Sequence, residues 1–220
     1  MIFGSVCSGI EAASVAWDQW QCAWVSEVDA HACAVLGHHY PSVPNHGDFT
    51  TINRENADAI DLLVGGTPCQ SFSVAGRRAG LDDPRGNLAL EFIALAARMR
   101  PRWIVWENVP GVMSLDGGRA FGTILGLMAQ LGYGFAYRVL DAQYIRVDGF
   151  ARAVPQRRRR VFVIGYLGDW RPAATVLFEQ ESLQRNIAPC EENAKNSTKE
   201  TKAGLASGRQ QTGTLLANRG

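Results

Sequence analysis

The sequence has no excess of charge in either direction: 22 basic residues against 21 acidic ones leave a net charge of +1. Such a balance neither marks a nucleic-acid binder nor excludes one, because local patches count for more than totals. No apolar run approaches the ~18–20 residues of a membrane span, so neither a transmembrane helix nor a membrane partner is expected. The opening Met1-Ile2-Phe3-Gly4-Ser5 has neither the basic region nor the apolar stretch of a secretory signal. Cysteine is sparse: Cys7, Cys22, Cys33, Cys69 and Cys190 are odd in number and form no Cys-x-x-Cys pair. A disulfide framework and a metal site are therefore not expected, and the chain reads as a cytoplasmic protein of a reducing compartment.

Aromatic residues are absent from the last stretch: the six Trp, five Tyr and nine Phe all lie at or before Phe178. Beyond it, the run Asn193–Lys202 is almost wholly polar. A segment of this kind buries too little apolar surface to offset its ordering entropy, so residues 179–220 read as a polar linker. Residues 1–178 read as the folded unit. Hydrophobic residues at 46% and charged residues at 20% fit a soluble globular domain. A chain of 220 residues suits one large α/β domain, or one domain plus an incomplete second.

Within residues 1–178, short apolar runs alternate with longer helical patterns. The runs Ile2–Val6, Ala23–Ser26, Asp61–Val64, Trp103–Trp106, Ala136–Leu140 and Val161–Tyr166 predict strands. Helical spacing covers Glu11–Trp20, Ala30–Leu36, Leu88–Met99 and Ala120–Leu131. Leu62-Leu63-Val64 and Ile104-Val105 are apolar throughout, as in a sheet covered on both faces. The alternation predicts an α/β, doubly wound, mostly parallel sheet of Rossmann-like type. In such sheets ligands sit beyond the carboxyl ends of the strands, and the chemistry should be sought there.

After the first strand, Cys7-Ser8-Gly9-Ile10-Glu11 opens a helix with a glycine that allows close backbone approach and free N–H groups. It is not a Gly-x-Gly-x-x-Gly fingerprint, and Glu11 is expected to repel a pyrophosphate, so a nucleoside without phosphates suits the turn better than NAD. Glu27 follows the second strand, eighteen residues after Gly9, where an acid commonly accepts hydrogen bonds from ribose hydroxyls. Gly47-Asp48-Phe49 sets an acid beside an aromatic, suited to an adenine edge and face. The strand Asp61–Val64 runs into Gly65-Gly66-Thr67-Pro68-Cys69, which presents a thiol on a constrained backbone and makes Cys69 a candidate nucleophile. Glu107 ends the strand Trp103–Trp106, where apolar surroundings should favour the protonated, proton-donating form. Finally, Pro155-Gln156-Arg157-Arg158-Arg159-Arg160 enters a strand. Extended backbone would send Gln156, Arg158 and Arg160 to one face, and Arg157 and Arg159 to the other.

Taken in order, these pieces resemble the cytosine-5 DNA methyltransferases of bacteria and their phages. The likeness rests on Gly66-Thr67-Pro68-Cys69-Gln70-Ser71-Phe72, Asp83-Pro84-Arg85-Gly86-Asn87-Leu88, Glu107-Asn108-Val109 and Gln156-x-Arg158-x-Arg160. It implies a Rossmann-like S-adenosylmethionine-dependent fold and a partner in double-stranded DNA, in a restriction-modification or phage setting. It places the cofactor over Ser8, Gly9 and Ile10, with Glu27 and Val28 at the ribose, Asp48 and Phe49 at the adenine, and Pro68 and Leu88 near the methionine end. Cys69 would attack carbon 6 of a flipped-out cytosine, with Glu107 on the ring nitrogen 3 and amine, Arg160 on the carbonyl oxygen, and Arg158 holding thiolate and phosphate. Gln70, Ser71, Gln156 and Arg157 would face the DNA.

The chain departs from the family pattern at Cys7, Glu11 and Ala12, which replace an aromatic and two glycines. A local loop is expected between Tyr144 and Pro155, including Arg146 and Arg152. Family members continue into a target-recognition region, and Gln210–Gly220 looks like its opening; a fragment, a truncated product or half of a split enzyme with a separate C-terminal half are all expectations. The alternatives are a non-catalytic remnant that binds cofactor or DNA, and a tRNA cytosine-5 methyltransferase. A Rossmann oxidoreductase is opposed by the poor glycine fingerprint.

Overall fold

Strand-forming runs pair across the chain into one six-stranded sheet in the order β2-β1-β3-β4-β6-β5. The computed structural model describes residues 1–68, 88–145 and 153–178. The strands are β1 (Ile2–Val6), β2 (Gln21–Ser26), β3 (Leu62–Gly65), β4 (Trp103–Asn108), β5 (Tyr133–Asp141) and β6 (Arg159–Leu167). The helices are α1 (Ala12–Ala16), α2 (Ala30–His39), α3 (Leu88–Met99), α4 (Arg119–Gln130) and α5 (Arg171–Leu177), joined by short 3₁₀ turns. The described residues all belong to one unit, Met1–Glu179. Cys69, Gln70, Ser71, residues 83–87, Arg146, Arg152 and residues 179–220 lie outside the described residues.

β1 to β4 are parallel, and β6 runs antiparallel between β4 and β5. The chain leaves β1 for β2 on one side and returns to β3 on the other, so a switch point falls between β1 and β3. The antiparallel β6 matters for the site. Its register pairs Glu107 with Phe162 and Asn108 with Val161, which brings the start of β6 to the carboxyl edge where the parallel strands end.

Alternation along β4 divides the core. Ile104 and Trp106 belong to one apolar cluster with Phe92 of α3 and Ile124 and Met128 of α4. Trp103 and Val105 pack into a second cluster with Ala173 and Leu177 of α5. Helices therefore cover both faces, as the doubly wound fold requires. α3 buries Ala89, Phe92, Ile93, Leu95, Ala96 and Met99, so a broad face of the helix lies on the sheet.

One helix is shorter than its spacing predicted. The pattern Glu11–Trp20 yields a helix only over Ala12–Ala16, because Trp17 leaves helical geometry at φ −122° and ψ 54°. Trp17 then stacks on Trp20 at 4.9 Å and meets Phe3 edge-on at 5.6 Å. Aromatic packing onto β1 outweighs one further helical turn, and α1 itself buries no residue. Among the described residues, no helix is long and apolar enough to cross a membrane.

Candidate active site

Four strand ends meet at the carboxyl edge. At the first two, Gly9 N–H donates to Glu27 Oε2 at 2.8 Å, so the eighteen-residue interval closes into a direct contact. Glu27 Oε1 also accepts from Val28 N–H at 2.8 Å and Asp29 N–H at 3.0 Å. Ser8 Oγ donates to the carbonyls of Ser5 and Ser26, pinning the turn after β1 to the end of β2. Ile10 and Val28, next in the chain to Gly9 and Glu27, are 69% and 72% exposed.

Asn45 was not singled out by the sequence, yet it fixes Glu27 from the other side. Its Oδ1 accepts from Glu27 N–H at 3.0 Å and its Nδ2 donates to the Glu27 carbonyl at 3.2 Å. Asp48 caps a 3₁₀ turn, its Oδ1 accepting from Thr50 N–H at 2.9 Å. Phe49 is only 5% exposed and belongs to the core, so its ring offers at most an edge to a ligand. Both Asp48 and Glu27 act on Cys7, whose thiol is pushed up to about 11 by burial first and by these two carboxylates second.

Glu11 corrects an expectation. It does not confront a ligand with its charge: it is 1% exposed. Its left-handed backbone, φ 59°, turns the side chain inward, where Oε1 accepts from Ser14 N–H at 3.2 Å and caps α1. Oε2 has no hydrogen-bond partner, and burial raises the carboxyl's pKa.

The second half of the site lies beyond β3 and β4. Trp106 Nε1–H donates to Thr67 Oγ1 at 3.0 Å, and Asn108 Nδ2 donates to the Thr67 carbonyl at 2.9 Å, both in buried surroundings. These bonds hold the segment Gly65–Pro68 against the end of β4; Pro68 itself is exposed. Leu88, at the start of α3, is half-buried.

Glu107 also meets surroundings other than those expected. In place of an apolar pocket, its Oε1 lies 2.8 Å from Arg160 Nε and 3.9 Å from Arg158 Nη2. The antiparallel entry of β6 is the cause, since it carries arginines to an edge that local sequence lined with tryptophan. Arg158 and Arg160 both turn toward Glu107, Arg160 half-buried and Arg158 exposed; Gln156, expected on the same face, is exposed, as are Arg157 and Arg159. Behind this row stands Asp141, also unmarked by sequence reasoning, which accepts from Arg158 N–H at 3.2 Å. Among the described residues no group of three or more His, Cys, Asp or Glu could hold a metal ion.

Comparison with known proteins follows this geometry. A family model described as C-5 cytosine-specific DNA methylase matches residues 1–215. The chain is 40% identical over 245 aligned positions to a DNA N-6-adenine-methyltransferase of Escherichia phage P1, covering 86% of this chain and 31% of that protein. It is 34% identical over 149 positions to the type II methyltransferase M.BsuFI of Bacillus subtilis, covering 68% of this chain and 34% of the relative. A crystal structure of a Spodoptera frugiperda DNMT2 mutant shares the fold, with a TM-score of 0.61 at 18% identity, over 76% of this chain and 50% of that one. The chain spans about a third of the length of the two sequence relatives.

Proposed function

Because the chain belongs to the C-5 cytosine-specific DNA methylase family, we propose that it forms the catalytic and cofactor-binding part of a DNA (cytosine-5)-methyltransferase. Residues 1–178 make up that part, and residues 179–220 are a polar linker and the start of a target-recognition region. The observation that carries the reading is the Glu107 carboxylate, gripped by Arg160 and Arg158 beside Gly66, three residues ahead of Cys69.

The residues at the ends of β1 and β2 fit S-adenosylmethionine. Two carboxylates, Glu27 and Asp48, would repel a diphosphate, whereas a nucleoside without phosphates meets acceptors for its hydroxyls and amine. Ile10 and Val28 supply apolar contact for the adenosine, and Cys7, kept protonated by burial, adds no charge. Ser8, Gly9, Asp48, Phe49, Pro68 and Leu88 complete the set of residues assigned to the cofactor. When bound, S-adenosylmethionine supplies an electrophilic methyl group for carbon 5 of the base.

The chain's own residues do the rest. A target cytosine must leave the duplex to reach them. Cys69 attacks carbon 6 as a thiolate, and once carbon 5 carries the methyl group, loss of the carbon 5 proton expels the thiolate again; sulfur suits both steps because it attacks and leaves well. Glu107 hydrogen-bonds the ring nitrogen 3 and accepts from the exocyclic amine, stabilising the charge that develops in the ring. Arg160 spends Nε on Glu107 and one Nη1 donor on the Arg159 carbonyl, which leaves further donors for the base carbonyl oxygen. Arg158 and Arg157 meet phosphate, with Gln70, Ser71 and Gln156 along the DNA.

The relative of Escherichia phage P1 favours a second reading, methylation of the adenine amino group, by its name. That chemistry needs no thiol nucleophile, so it leaves Cys69 and the arginine-held Glu107 without a task. Tritiated S-adenosylmethionine with plasmid DNA and with tRNA, followed by base analysis, decides between them. The expected product is 5-methylcytosine in DNA. Label in N6-methyladenine supports the second reading, label in tRNA alone changes the substrate, and cofactor binding without label marks a non-catalytic chain.

A further inference from the structure

Asp141 is the last residue of β5 and stands opposite Arg159 in the antiparallel register with β6. Its oxygens accept three hydrogen bonds: Oδ1 from Arg158 N–H at 3.2 Å and Gln143 N–H at 3.3 Å, and Oδ2 from Gln143 Nε2 at 3.1 Å. On the other side of the same residue, Ala142 N–H donates to the Arg158 carbonyl at 3.1 Å. Both polar groups of the Arg158 backbone are therefore taken by the β5 end, one residue before β6 begins. Residues 153–158 are not part of any strand. Where they enter the sheet, this bracket sets the height and direction of the arginine row.

The consequence reaches Glu107. Arg158 and Arg160 lie two residues apart and turn to the same carboxylate, at 3.9 and 2.8 Å. A rotation of the Arg158 peptide would swing both guanidinium groups, because the two share one extended backbone. We infer that Asp141 is a positioning residue: its side chain anchors the Arg158 backbone so that Arg158 and Arg160 grip Glu107. The inference rests on the reading of Glu107 and Arg160 as the base-binding pair. Asp141 itself touches neither base nor cofactor in this assignment, and a carboxylate is not required. An asparagine Oδ1 can accept the same two backbone N–H groups, whereas a serine can cap the turn through Gln143 N–H but is too short to reach Arg158.

Two measurements test this. In the unaltered chain, hydrogen exchange of the Arg158 amide should be slowed, in Asp141→Asn it should stay slowed, and in Asp141→Ser it should approach the free-chain rate. Free-chain exchange of that amide in the unaltered protein overturns the inference whatever the variants do. The second measurement is methyl transfer, with Glu107→Gln as control. A misplacement of about 1 Å can cost on the order of 10²-fold in rate. Asp141→Ser should therefore lower kcat on that scale with cofactor affinity unchanged, and Asp141→Asn should restore it. If Glu107→Gln is inactive while Asp141→Ser matches the parent, the positioning role fails and the proposed function stands. If Glu107→Gln is fully active, the functional reading fails, and the exchange data alone decide whether Asp141 holds Arg158.

Discussion

Gly66 and Glu107 leave no room for a side chain between them: a β-carbon at position 66 would lie 2.8 Å from Glu107 Oε2. The carboxylate occupies the space that any other residue at 66 would fill, and the arginines hold it there. Glycine at this position is thus tied to the placement of an acid from another strand, forty-one residues along the chain.

Gly66→Ala is expected to disturb activity more than stability. The atom it would strike is the end of a side chain, which can swing away and leave the site disordered but the core intact. Gly65→Ala is the contrasting case. Its β-carbon would meet Val6 Cγ2 at 2.5 Å and the Val6 carbonyl at 2.9 Å, inside the sheet. Overpacking of that kind costs about 1–3 kcal/mol. Thermal melts and methyl-transfer rates of both variants check the contrast; a larger loss of melting temperature in Gly66→Ala than in Gly65→Ala would contradict it.

Glu107→Gln should keep cofactor affinity and lose rate by ~10²–10⁴-fold, the usual contribution of one acid–base partner. Arg160→Ala should follow it closely, because Arg160 Nε makes the shorter of the two contacts to that carboxylate. Arg157→Ala and Arg159→Ala should affect DNA affinity more than rate, since the ion pairs to Glu107 come from Arg158 and Arg160. Isothermal titration with S-adenosylmethionine and single-turnover methylation separate these effects. Equal rate losses at all three arginines would show that the strand alternation does not sort them.

DNA carrying 5-fluorocytosine should trap the enzyme through Cys69 alone. Burial first, and Glu27 and Asp48 second, push the Cys7 thiol up to about 11, so little thiolate exists near neutral pH. Cys22 is pushed up to about 11 as well, chiefly by burial. Cys69→Ser is expected to abolish the covalent adduct on denaturing gels and Cys7→Ser to leave it. Trapping by Cys69→Ser but not by Cys7→Ser would make Cys7 the nucleophile and overturn the assignment.

Glu11 makes stability depend on pH. Its folded pKa is raised above the unfolded value of 4.5, mainly by burial. Below about pH 4.5 the carboxyl is neutral in both states and costs nothing by this route. As pH rises, the unfolded chain gives up its proton more readily than the folded one, so stability falls until the folded pKa is passed. Glu11→Gln keeps an acceptor for Ser14 N–H and removes the ionisation. It should raise the melting temperature at pH 7–8 by a few degrees, about 2–4 °C for each kcal/mol in a domain of this size. The gain should vanish near pH 4. A difference in melting temperature that is the same at both ends of this range would exclude ionisation of Glu11 as its source.

Much of this protein could be read from local order in the chain. Six apolar runs overlap the six strands, because burial on a pleated sheet demands apolar side chains of any segment that enters one. The spacing in Leu88–Met99 marked a helix, and the helix lies there. The interval from Gly9 to Glu27 and the alternation of Arg158 and Arg160 were also local facts, set by one βα turn and by extended backbone. What local order did not contain was which distant groups each side chain would meet. Tryptophans beside Glu107 suggested an apolar pocket, but the reversed direction of β6 delivered two guanidinium groups to it. Glu11 looked like a charge facing a ligand, and a left-handed backbone turned it into the core. Asn45 and Asp141 carry no motif, and their importance comes only from standing opposite Glu27 and Arg158 once the strands have paired. Periodicity in the sequence decides which segments can be buried; strand order and direction, settled by the packing of the whole sheet, decide which charges and hydrogen-bonding groups then face one another.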